Sequence, residues 1–490
     1  MDKILFMKKI IQFVKENSFL FIVCWLFALS LIFRVFQLDH FISYHQDQVR
    51  DLFYIKDNFE RGQIILLGPK ASVGNFFLPP FWYYLMSLAY IFSKSPLSPA
   101  FLTAILSSAT TVIIFLFVNK FFNKKIAFIS AILYALSPLS IEYSRFAWNP
   151  NPIPLFTILT FYFLYRFLFE NDNKSFYYGA IAANLAFQLH YQGLVIVIFY
   201  FLVNIFYRKI NLKSFIKYIF LNILLIFPFL LYEIKNGFAN TSGIVNFLIN
   251  TQTIIKLKLF GVPFFIKFII RDFSLFLSRV LLFKNQIIGY FLLGIFSISM
   301  FLKIITFRKV DRLEKPILIF LVTSFIMLFF YKNSLIDFYL LFLIPIIIIY
   351  FIFLLFKLKS QKAVFLIIFF ILIVNLGKSP TFGNYDKTYL WVKESIKLVS
   401  QEKNYCVSYN IFPQNYIESK LKYAMTLPKN QPVYQNCDVY MYYQCNPRIM
   451  TGFYFCENPV CKYKPIDLNN AELIDMYPLY SGVKIYKIQF

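Results

Sequence analysis

Apolar stretches of roughly twenty residues recur along this 490-residue chain, most of them separated by short loops rich in lysine and arginine. A stretch of that length crosses a bilayer as a helix, because a helix satisfies every backbone N–H and C=O where no water is present. Hydrophobic residues make up 59% of the chain and charged residues 15%, which excludes a soluble globular protein. No ten-residue segments alternating apolar and polar positions recur, so the pattern is not that of a β-barrel. The expected fold class is an all-α polytopic membrane protein of about eleven transmembrane helices. Spans are expected near 18–37, 97–118, 125–142, 153–169, 175–190, 191–207, 215–233, 286–305, 315–331, 337–356 and 362–377.

The net charge of +25 does not gather into one patch with a nucleic-acid-binding module, so no nucleic-acid partner is expected. The basic residues lie in the short loops, where they set orientation. The N-terminus, Asn119–Lys125, Tyr207–Lys213, Lys303–Lys315 and Lys357–Lys362 are expected on the cytoplasmic side, together with Asn171–Lys174. The opposite side receives 38–96, 142–152, the turn at 190–193, 234–285, 332–336 and everything after Gly377. The apolar run 76–93 is read as a helix lying on the outer surface, since Trp82, Tyr83 and Tyr84 suit the interface. Lys3, Lys8, Lys9 and Lys15 precede the first run with no small-residue cleavage site after it, so that run is read as an uncleaved span. These loops place the chain in the plasma membrane, with its N-terminus cytoplasmic and its C-terminus extracytoplasmic.

Two regions are expected: a transmembrane region over 1–377, whose first external loop is 38–96, and a small extracytoplasmic domain over 378–490, α/β or irregular. Five of the six cysteines fall in the latter, at Cys406, Cys437, Cys445, Cys456 and Cys461. That concentration points to disulfides in an oxidising compartment, with connectivity open. Cys24, within the first span, reads as a small hydrophobe.

The polar feature of greatest interest follows the first span: Tyr44-His45-Gln46-Asp47-Gln48-Val49-Arg50-Asp51. Carboxylates are costly within hydrocarbon and cheap at its edge, so this cluster points to chemistry at the membrane surface. As a helix, 46–59 puts Asp47, Asp51 and Tyr54 on one face with Arg50 beside them, and Leu52, Ile55 and Phe59 on another. Further polar groups fall on the same predicted side: Lys70, Arg145 and Asn149, Gln188 and His190, Glu233 and Lys235, and all three histidines. Arg34, near the outer end of the first span, is expected to snorkel towards the surface.

The order Asp47-Gln48-x-Arg50-Asp51, Leu67-Gly68-Pro69-x-x-Ser72, Pro79-Pro80-x-x-Tyr83-Tyr84-Leu85, Arg145-x-x-Trp148-Asn149-Pro150 and Gln188-x-His190-Tyr191 resembles the GT-C membrane glycosyltransferases. The nearest likeness is to the bacterial branch related to protein mannosyltransferases and aminoarabinose transferases, and it covers roughly the first 240 residues. The resemblance implies inverting transfer of a sugar from a polyprenyl-phosphate donor to a lipid, glycan or protein acceptor on the extracytoplasmic face. It also implies that Asp47 matches the family's acidic residue in the first external loop. Gln48 stands where a second acid often follows, which leaves Asp51, one helical turn on, as the other carboxylate of interest.

The residue types fit that chemistry. A carboxylate on a partly desolvated surface serves as a base for the acceptor hydroxyl. The departing lipid phosphate needs positive charge, for which Arg50, Lys70, Arg145 and Lys235 are candidates. A divalent cation held by Asp47 and Asp51 is an alternative source of that charge; no other cofactor is expected. The competing reading is a transporter or flippase of lipid-linked sugars. That reading expects ionisable groups at mid-membrane and repeated halves, whereas here the charges gather at one face.

Overall fold

The computed structural model describes residues 18–42, 46–71, 76–207, 212–249, 262–263, 265–329 and 337–382, and the strands 405–410, 439–444, 472–478 and 484–489. Its helices are α1 (Ser18–Val35), α2 (Leu38–Phe41), α3 (Gln46–Glu60), α4 (Phe81–Phe92), α5 (Ser98–Phe121), α6 (Lys124–Leu136), α7 (Pro138–Ser144), α8 (Ile153–Glu170) and α9 (Asn173–Leu189). After a single 3-10 turn follow α10 (Leu194–Phe206), α11 (Leu212–Leu225), α12 (Phe227–Lys235), α13 (Ala239–Ile249), α14 (Ser274–Leu281), α15 (Gln286–Ile305), α16 (Lys315–Phe329), α17 (Ile344–Phe356) and α18 (Gln361–Gly377). The chain divides into two compact units, one formed by Met1–Phe36 with Gln63–Gly383 and the other by Gln37–Gly62 with Asn384–Phe490.

The first unit is the helical one. A helix stands at each of the eleven places where the sequence predicts a span, but not all are long enough to cross alone. Among the described residues six helices have the length and apolar character of a span, counting the 3-10 turns that extend α17 to Asp337–Phe356 and α18 to Gln361–Phe382, and eight do if each of two bent pairs counts as one. The bent pairs are α6 with α7, at 55°, and α11 with α12, at 68°. Each bend has a proline just past the break, Pro138 in one and Pro228 in the other, where the ring removes a backbone donor. The 76–93 run forms only the twelve-residue α4, too short to cross a bilayer unaided. It buries Trp82, Tyr83, Met86, Ala89 and Tyr90 against the unit and exposes Leu88, Ile91 and Phe92.

Packing follows residue size. Lipid tails are as apolar as leucine, so membrane helices associate through close contact and polar bonds rather than through hydrophobic burial. α5 accordingly buries Ala100, Thr103, Ala104, Ser107, Ser108, Thr110 and Thr111. Ser30 of α1 and Thr111 of α5 join by their hydroxyls at 2.8 Å. α17 is the central span, with every side chain from Ile344 to Phe353 buried. α15 and α18 instead turn most of their large apolar side chains outward. Between α8 and α9 the chain reverses at Asn171, whose φ of 57° is left-handed. Asp172 then caps α9 by accepting from Lys174 N at 3.1 Å and Ser175 Oγ at 2.8 Å. The reversal into α10 is tighter still. A Cβ at Gly193 would lie 2.2 Å from the main-chain oxygen of Ala186.

In the second unit, α2 and α3 follow α1 in the chain and the strands come from the C-terminal region. The strands form one mixed sheet in the order β1 (Tyr405–Asn410), β2 (Val439–Gln444), β4 (Lys484–Gln489), β3 (Glu472–Pro478). β1 pairs parallel with β2 from Tyr405↔Val439 to Asn410↔Gln444, and β4 pairs antiparallel with both β2 and β3. Cys406 lies in β1 opposite Tyr440; Cys437, Cys445, Cys456 and Cys461, and with them the expected disulfides, lie outside the described residues.

Candidate active-site residues

In the second unit, α3 carries the acidic cluster. Arg50 stands between the two carboxylates, donating from Nη1 to Asp47 Oδ1 at 2.8 Å. It also donates from Nε and Nη2 to Asp51 Oδ1 at 2.9 and 2.7 Å. The two acids are not equivalent. Asp51 is 1% exposed while the Asp47 side chain is 41% exposed, so Asp47 is the one open to a reactant. Leu52 and Ile55 are buried as the helical pattern predicts, and Tyr54 and Phe59 are exposed.

Arg50 already occupies the space between the carboxylates, and among the described residues no three His, Cys, Asp or Glu side chains gather to hold a metal. His45 lies outside the described residues. His40 bonds its neighbour Asp39 at 2.8 Å.

In the first unit the predicted residues sit at helix ends, and several are engaged with the main chain. Arg145 is 5% exposed. It donates from Nη1 to Phe33 O at 3.0 Å and Arg34 O at 3.3 Å, and from Nη2 to Phe36 O at 2.8 Å. These are the carbonyls that the end of α1 leaves without helical partners. Desolvation pushes the Arg145 guanidinium down to about 10, still charged at neutral pH. Asn149 gives its amide to Leu189 O at 2.7 Å, closing the end of α9. Gln188 gives its amide to Asn184 Oδ1 at 2.7 Å and to Leu225 O at 3.3 Å, at the bend between α11 and α12. Asn184 in turn donates to Asn222 Oδ1 at 2.7 Å, so a polar ladder ties α9 to α11.

Glu233, 1% exposed, accepts from Asn240 N at 3.1 Å, Thr241 N at 2.8 Å and Thr241 Oγ1 at 2.5 Å. It therefore caps the N-terminus of α13 from the preceding helix. Lys235 and Lys70 are exposed. Lys70 belongs to a hairpin held by Gly68 N→Leu78 O (2.7 Å), Leu78 N→Pro69 O (3.0 Å) and Ala71 N→Phe76 O (2.9 Å). Its ammonium stands 6.0 Å from the centre of the Phe77 ring. Gly68 is required there, since a Cβ would fall 2.2 Å from Pro79 O.

His190 and Trp148, singled out separately in the sequence, meet through Phe338. The Trp148 and Phe338 rings are 4.6 Å apart, and His190 lies 6.1 Å from Phe338 and 5.7 Å from Tyr339. This apolar setting pushes the imidazole down to about 4 by desolvation, so His190 is neutral at pH 7 and offers no charge to a phosphate.

Two groupings were invisible in the sequence. Arg279 pairs with Glu142 at 2.7 Å and with Asp337, joining three segments more than fifty residues apart. Asn240 bonds the main chain of Phe77, 163 residues away. No local pattern marks either. Arg34 corrects an expectation outright: it is fully buried rather than snorkelling. It donates to Ser107 Oγ (2.9 Å), Ser30 O (2.9 Å), Ala135 O (3.0 Å) and Tyr134 O (3.4 Å). The reason lies in the α6–α7 bend. Pro138 has no N–H for Tyr134 O, which accepts instead from Ser137 N at 3.3 Å, and the guanidinium adds donors to Tyr134 O and Ala135 O.

Comparison with known proteins adds the wider context. A family model described as dolichyl-phosphate-mannose-protein mannosyltransferase matches residues 78–232. The structure of ArnT from Cupriavidus metallidurans bound to undecaprenyl phosphate aligns over 96% of this chain and 98% of its own, at 11% identity and a TM-score of 0.54. Its apo structure aligns over 97% and 98%, at 12% identity and a TM-score of 0.55. No curated protein matches the chain. The chain has the polytopic helical fold of the GT-C superfamily.

Proposed function

We propose that this chain, a multi-pass membrane protein with the GT-C fold, is a glycosyltransferase. It moves a sugar from a polyprenyl-phosphate donor to a lipid, glycan or protein acceptor on the extracytoplasmic face. The observation that carries the reading is the fold's likeness, over nearly the whole chain, to an ArnT structure bound to undecaprenyl phosphate. The mannosyltransferase match over 78–232 supports it, as does the exposed carboxylate of Asp47 next to Arg50.

In this reading Asp47 takes the proton of the acceptor hydroxyl, and the freed oxygen attacks the anomeric carbon. The carbon–oxygen bond to the lipid phosphate breaks as the new bond forms, inverting the configuration. Asp51 and Arg50 hold Asp47 in place, since Arg50 bridges both acids. In the first unit, Lys70 and Lys235 are exposed cations of the kind that binds an anionic lipid phosphate. Arg145, Asn149 and Glu233 pair main-chain groups at the ends of α1, α9 and α13, and Gln188 joins Asn184 to the α11–α12 bend.

The test uses the full-length protein in nanodiscs with polyprenyl-phosphate sugars drawn from a strain lacking the gene, and mass spectrometry of the products. Asp47→Asn is expected to lower transfer by about a hundredfold or more, with insertion and melting unchanged. Full transfer by Asp47→Asn removes Asp47 as the base. An unchanged mass of every lipid-linked sugar, with donor crossing the bilayer, replaces the transferase by a flippase.

A further inference from the structure

Phe77 sits opposite Lys70 in the hairpin that runs from Gly68 to Leu78, as an antiparallel bridge. The cross-strand hydrogen bonds are made by Gly68, Pro69, Ala71, Phe76 and Leu78. Phe77 therefore occupies a non-hydrogen-bonded position, where N–H and C=O both point away from the partner strand. Buried edge groups of that kind need partners. Asn240 supplies both: its Oδ1 accepts from Phe77 N at 2.5 Å, and its Nδ2 donates to Phe77 O at 3.2 Å. One carboxamide stands in for the peptide of an added strand. Tyr191 OH donates to the same oxygen at 2.6 Å.

Asn240 is itself held. It is 3% exposed, and its own N–H is bound by Glu233. A continuous path thus runs from Glu233 through the first turn of α13 to Asn240, on to the main chain of Phe77, and by the bridge to Lys70. The ring of Phe77 also lies beneath the Lys70 ammonium.

We infer that Asn240 is a positioning residue: it fixes the strand position of Phe77 and thereby the place of the Lys70 ammonium that receives an anionic lipid phosphate. The inference rests on the role given to Lys70 above. Asn240 touches no substrate in this account; it acts through Phe77.

The test measures binding of undecaprenyl phosphate to the full-length protein in nanodiscs, for wild type, Asn240→Ala, Asn240→Asp, Lys70→Ala and the double variant Asn240→Ala with Lys70→Ala. Asn240→Asp keeps the acceptor and loses the donor to Phe77 O, and it serves if Asn240→Ala does not fold. The expected result is about tenfold weaker binding for each single variant, and a double variant no weaker than Lys70→Ala alone. A purely structural role gives losses that multiply in the double variant, or that follow melting temperature, and either overturns the inference. Wild-type binding by both Asn240 variants, with Lys70→Ala weakened, overturns the inference and leaves the role of Lys70 standing. Wild-type binding by Lys70→Ala removes both.

Discussion

Arg145 donates a hydrogen bond to the main-chain oxygen of Arg34 at 3.3 Å, so two arginines meet at the end of the first span. Neither has a carboxylate among its described hydrogen-bond partners. Both are satisfied chiefly by carbonyl oxygens that helix geometry has freed. Arg145 serves the C-terminus of α1 and Arg34 the bend between α6 and α7. A guanidinium suits this because its five donors form a rigid planar fork that spans oxygens lying farther apart than the three donors of a single ammonium nitrogen reach.

Arg145→Ala therefore takes the guanidinium donor from Arg34 O and Phe36 O, while Phe33 O keeps Thr381 Oγ1 at 2.6 Å. The expected cost is about 2 kcal/mol of stability, read as a lower melting temperature in detergent. Arg145→Lys is expected to recover less than half of it. Wild-type stability in Arg145→Ala would show that water replaces the guanidinium without loss.

Arg34 and Pro138 should be coupled, since the proline removes the donor four residues on from Tyr134 O and leaves that oxygen to Ser137 N at 3.3 Å and the guanidinium. Arg34→Met is expected to cost about 3 kcal/mol in the wild-type background and about 1 kcal/mol less in a Pro138→Ala background, where residue 138 regains its N–H. Equal costs in both backgrounds would separate the arginine from the bend.

His190 gives a pH dependence with a definite sign. Its folded pKa, about 4, lies below the ordinary value of 6.5, so between those values the unfolded chain binds more protons than the folded one. Stability then rises with pH across the window and is lost as pH falls from about 6.5 towards 4. His190→Gln should flatten that part of the curve in a melting-temperature series. An unchanged slope would assign the acid sensitivity elsewhere.

Orientation has a direct test at Asn123. This residue caps α6 by accepting from Lys125 N at 2.8 Å, within the basic loop assigned to the cytoplasm. A cysteine placed there should resist a membrane-impermeant reagent added outside intact cells. Ready labelling would invert the early topology and move the face on which Lys70 and Lys235 lie.

Much of this was legible in the chain itself. Apolar runs and basic loops located the helices, because hydrocarbon leaves the backbone no other way to pair its polar groups. The Asp47–Arg50–Asp51 spacing gave the ion-pair cluster, because residues three and four apart share a helix face. Segments whose length falls near the spanning limit, such as 76–93, could be placed only once their packing was known. What the sequence could not assign were partners set by long-range contact: Asn240 on Phe77, Arg279 between Glu142 and Asp337, and Arg34 on the Pro138 bend. A polar residue near a predicted membrane edge reads alike whether it faces a substrate or closes a helix end. Tertiary structure separates the two, because a freed carbonyl buried away from water must be paired and takes whichever donor the fold brings within reach.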